Sequence, residues 1–130
     1  SAAFGVAHVG NPNATLASPL GIVLAAVTLA AGYVLTGELA IPIGLHATWN
    51  FFQGTVYGFP VSGTNNGVSL VAIEQSGPSL VTGGAFGPEA GLVGIGAIGI
   101  GLALTVLWVR WRTDEIRFDP SLVTPELRHR

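Results

Sequence analysis

The sequence predicts an all-α fold, a polytopic bundle of transmembrane helices, and three observations lead there. The 130 residues are 49% hydrophobic and only 9% charged, far below the roughly one quarter charged that soluble domains carry. Three windows are long and apolar enough to cross a bilayer core of about 30 Å, which takes about 20 helical residues because no water is there to satisfy the backbone. The charge is also confined. No Lys or Arg precedes Arg110, and Glu38, Glu74 and Glu89 are the only acids before it.

The opening AAFGVAHV reads as the end of a truncated helix that stops near Asn11, since Pro12 follows His8 within four residues. The first full span is 16–35, which has no charge. A Thr36-Gly37-Glu38 turn follows, with Glu38 at a helix start, where the dipole favours an acid. The second span, 39–59, has His46 as its one ionisable group. Segment 60–88 is rich in Gly, Ser, Asn and Thr and reads as a long loop. Its apolar piece, 68–73, is too short to cross and is expected at the interface or against the bundle. The third span is 91–109, where Ala90/Gly94, Ala97/Gly101 and Gly99/Ala103 are small-residue pairs suited to close helix packing. Residues 110–130 hold all five Arg together with Pro120 and Pro125. They form a polar tail, placed in the cytoplasm by the excess of positive charge.

Several classes drop out. A net charge of −2 without clustered Lys or Arg does not suit nucleic acid. The absence of cysteine removes disulfides, thiol nucleophiles and thiolate-bound metals. The GxSG and GxGD patterns of serine and aspartyl intramembrane proteases do not occur. His129 lies in the tail and reads as solvated, and Trp49, Phe51, Phe52 and Tyr57 read as packing or interfacial aromatics.

Two polar side chains inside the second span need an explanation. In HATWNFF, His46 and Asn50 stand four residues apart, so on a helix they share one face. Polar groups at membrane depth are costly and mark functional sites by default, although a helix-to-helix hydrogen bond worth about 0.6 kcal/mol would be a structural alternative. His8 adds a second imidazole. In an up-and-down bundle the helices bearing His8 and His46 run parallel, separated by one span. The two rings meet if the first helix ends within the bilayer, with irregular backbone between Asn11 and Pro19.

FGVAH (Phe4 to His8), then an apolar span, then TGELAIPIGLHATWN (Thr36 to Asn50) resembles the CPBP intramembrane protease family, which includes the type II CAAX prenyl endopeptidases and bacteriocin-processing enzymes. That family carries a Glu-Glu-x-x-x-Arg motif, then F-x-x-x-H, then H-x-x-x-N. The resemblance covers Phe4 to Phe52. It implies His8, His46 and Asn50 as catalytic residues. His8 would assist the motif glutamate in holding or activating water, and His46 and Asn50 would donate to the oxyanion. It further implies a peptide or lipidated protein substrate in the lipid bilayer, no nucleic acid, and a prokaryotic cell membrane as location. No Glu-Glu-x-x-x-Arg occurs in these 130 residues, and Glu38, Glu74 and Glu89 are unpaired. The chain is therefore expected to be the C-terminal part of a longer protease and inactive unaided. No cofactor is expected, with zinc on His8 and His46 as the alternative. Two rival readings are a non-catalytic, immunity-like binding scaffold of the same family and a transporter.

Overall fold

The computed structural model describes residues 1–65, 67–71, 73–119 and 122. The end of the expected tail, including His129, lies outside the described residues. Among the described residues five α-helices form: α1 (Ala2–Ala7), α2 (Ser18–Thr36), α3 (Ala40–Asn50), the single turn α4 (Ser79–Thr82) and α5 (Leu92–Thr113). Among the described residues the only β contact is a bridge between Val61 and Thr64.

α2 is the post around which the others stand, since α1, α3 and α5 all pack on it. Its start is set by Ser18, whose Oγ accepts the Thr15 backbone N–H at 2.9 Å, and Pro19 sits in the first turn, where no intrahelical bond is lost. Gly37, at φ 69°, closes it with a bond from its N–H to the Tyr33 carbonyl. Ile22 of α2 forms a small core with Phe86 and Ala90, and Phe4 packs against it. The backbone of the 3₁₀ turn Pro88–Ala90 passes so close to α2 that a Cβ on Gly21 would collide with the Glu89 carbonyl oxygen.

α2 and α5 are long and apolar enough to cross a membrane, with mean hydropathies of 1.9 and 2.3. The expected span at 39–59 is helical over most of its length but changes character part-way. Its α-helix stops at Asn50 and continues as a π-helical turn, Phe51–Val56, closed by the Tyr57 N–H on the Phe52 carbonyl at 2.9 Å. The cause is tertiary: Gln53 and Gly54 are buried here, and the wider turn points the Gln53 amide at the Pro60 carbonyl. Among the described residues α2 and α5 are the two helices long and apolar enough to cross a membrane, and a third such helix is not shown.

At its other end α5 runs four residues beyond the expected limit of 109. It carries Arg112 over the Trp108 ring at 5.8 Å, and Asp114 at φ 59° ends it. The chain then turns back, and the Asp119 N–H donates to Val34 at the end of α2. The expected loop is a loop, apart from α4 and two 3₁₀ turns. In its apolar piece the Leu70 and Val71 N–H groups bond to the π turn, at the Thr55 and Val56 carbonyls. Of the small-residue pairs, Ala90/Gly94 serves the 3₁₀ turn, because Gly94 abuts the Pro88 carbonyl, whereas Gly99 faces open space.

Replacing Gly21 with Ala would force α2 off the Pro88–Ala90 turn. We expect a destabilisation of about 1–3 kcal/mol, the usual range for overpacking, seen as a lower midpoint when the chain is unfolded in mixed micelles by rising denaturing detergent.

Candidate functional site

His8 caps the C-terminus of α1. Its Nδ1 lies 2.7 Å from the Phe4 carbonyl oxygen, and since a carbonyl only accepts, Nδ1 carries the proton and donates. The lone pair is thereby fixed on Nε2, the atom left to take a proton from water or to bind an electrophile. The four-residue spacing of FGVAH gives this bond its reach, because one helical turn puts the Phe4 carbonyl beneath the His8 ring.

Phe4 also joins the two histidines. Its ring centroid lies 4.5 Å from that of His8, with the planes tilted by 41°, and 6.2 Å from that of His46, nearly edge-on at 78°. The structure thus brings both imidazoles to one aromatic ring. His46 is exposed on α3 and lines a cavity of about 100 Å³ between α2, α3 and α5, together with Thr28, Trp49 and Ile98. Asn50 ends α3, half-buried, one turn further along. As expected, the backbone after His8 is irregular as far as Ser18. It is anchored rather than loose: Asn11 Nδ2 donates to the Ser62 carbonyl at 2.8 Å and Asn13 Nδ2 to that of Gly63 at 3.3 Å. Among the described residues, no three His, Asp or Glu side chains gather into a metal-binding group.

Sequence reasoning missed a second polar cluster. Glu89, read as a solitary acid, is only 3% exposed. Its Oε2 accepts from Gln53 Nε2 at 2.8 Å and its Oε1 from the Ser62 backbone N–H at 3.3 Å. Gln53 Nε2 also donates to the Pro60 carbonyl at 2.6 Å, which fixes the amide orientation, because a carbonyl cannot face the amide oxygen. Gln53 Oε1 is left buried without a partner. An orphaned acceptor costs about 1–3 kcal/mol, so the amide is committed to its two donor bonds at the expense of its oxygen. One signal could have revealed this cluster. Gln53 falls seven residues after His46 and three after Asn50, the continuation of the same helical face.

Burial lifts the Glu89 carboxyl above the ordinary carboxylate range, while its own backbone N–H, Gln53, Ser62 and Trp49 pull it back, in that order. A native pKa above the unfolded one means that the folded chain holds the extra proton. The stability this supplies is complete below the unfolded value and is lost as pH rises through the native one. Resistance to unfolding should therefore fall from acid pH toward neutrality. The slope should flatten in Glu89→Gln, measured as detergent-unfolding midpoints across a pH series.

No curated protein and no solved structure matches the chain. One family model does, over the segment that holds both histidine motifs and ends two residues after Asn50, leaving Gln53 and Glu89 outside the match. Residues 1–52 match the model of the family described as type II CAAX prenyl endopeptidase Rce1-like, so this part of the chain is similar to that family.

Proposed function

We propose that the chain is part of an intramembrane endopeptidase that hydrolyses a peptide bond in a membrane-associated, lipidated protein. The observation that carries this reading is the Phe4 ring in contact with both His8 and His46, which unites the two motifs of the matched segment. Hydrolysis needs an activated water and donors for the tetrahedral oxyanion. His8, with its proton held on Nδ1, presents a basic Nε2 toward water. His46 and Asn50 share one face of α3 and supply N–H donors to the oxyanion, Asn50 through its amide and His46 through whichever ring nitrogen carries hydrogen. The carboxylate that completes water activation is supplied from outside these 130 residues, in the Glu-Glu-x-x-x-Arg motif that this sequence does not contain. The apolar helices α2 and α5 hold the site within the bilayer, with the Arg-bearing end of α5 on the cytoplasmic side.

The test is cleavage of a prenylated peptide by the parent protein reconstituted in liposomes. His46→Ala and Asn50→Ala should each lower kcat by about 100- to 1,000-fold, the effect of deleting one oxyanion donor, with the helical content intact. Cleavage undiminished in His46→Ala sinks the assignment. Saturable peptide binding without any cleavage by the wild type would move the reading to a binding scaffold.

A further inference from the structure

Two hydrogen-bond chains end on one carboxyl group. From the segment after His8, the Asn11 side chain donates to the Ser62 carbonyl, and the Ser62 N–H donates to Glu89 Oε1. From the segment after Asn50, Gln53 donates to Glu89 Oε2. Glu89 itself lies in the turn that leads into α5 and is pressed on α2 at Gly21. The geometry points to Glu89 as the positioning residue of the site: its carboxyl is the common acceptor that ties the segment behind His8 to the segment behind His46 and Asn50, and so sets how far apart the two motifs stand.

This assignment rests on the endopeptidase reading for its importance but not for its geometry. It involves residues outside the matched segment, and Glu89 touches neither histidine through any bond described above. Its reach comes from having two acceptor oxygens at once. A carboxylate offers about four lone-pair positions, whereas a glutamine in its place offers one oxygen and turns an NH₂ against either Gln53 or the Ser62 N–H. Size alone would be preserved by that exchange. Acceptor capacity would not.

The distance between the motifs reads the proposal directly. The chain has no cysteine, so nitroxides at Val6→Cys on α1 and Ile43→Cys on α3, both exposed, report only on that separation by pulsed electron spin resonance in nanodiscs. A single narrow distribution is expected for the otherwise native chain, a broadened or shifted one for Glu89→Gln, and no change for Glu38→Gln, which removes an exposed acid. Gln53→Met, which deletes only the α3 side of the tie, should also broaden the distribution and decides the matter should Glu89→Gln fail to fold.

In the parent protease Glu89→Gln should lower kcat about 100-fold with KM little changed, as for a ~1 Å misplacement of reacting groups. An unchanged distribution in either folded variant overturns the assignment whatever the activity. A changed distribution in a parent protein that cleaves nothing leaves the tie standing and removes the endopeptidase reading instead.

Discussion

A carboxyl group cannot be buried in an apolar chain without donors, and much of this fold can be understood as the means of providing them to Glu89. Desolvating a carboxylate without partners would cost far more than a small domain's whole stability. The donors come from places distant in sequence: Gln53, 36 residues upstream, and the Ser62 N–H, 27 residues upstream. Bringing both to one point makes the π turn, the loop after it and the entry to α5 a single unit. The hydrophobic core alone, Ile22 with Phe86 and Ala90, is too small to impose that arrangement, and buried polar groups fix geometry more sharply than apolar contacts do.

The histidine motifs use a different economy. Phe4 serves twice, through its carbonyl, which orients His8, and through its ring, which meets both His8 and His46. One residue on a six-residue helix therefore sets a tautomer and makes a shared contact together. α3 carries His46 and Asn50 but buries none of its residues. Its position comes from contact with α2 and from the bonded turn that follows it, rather than from enclosure.

What could be read from the sequence follows from how local each cause was. The uncharged runs that became α2 and α5 announced themselves, and Pro12 announced the break after His8, because hydropathy and proline act within a few residues. The pairing of FGVAH with HATWN was legible as a motif, while their meeting around one ring depended on α2 lying between them. The π turn was not legible. Nothing in Phe51–Val56 requires it until Pro60 and Glu89 draw on Gln53. The burial of Glu89 was not legible for the same reason: its partners, Gln53 and Ser62, lie in another part of the chain.

The tie at Glu89 also has a place in time. A chain emerges from the ribosome in order, and contacts between neighbouring segments close before those spanning long stretches of sequence. α1, α2 and α3 can associate as soon as they are made, and Phe4 can find His46. The bonds that fasten the two motif segments together, however, wait until residue 89 has been synthesised. The entry to α5 thus completes an arrangement begun at α1, and a nascent chain halted short of α5 would hold both histidine motifs in an unfinished arrangement.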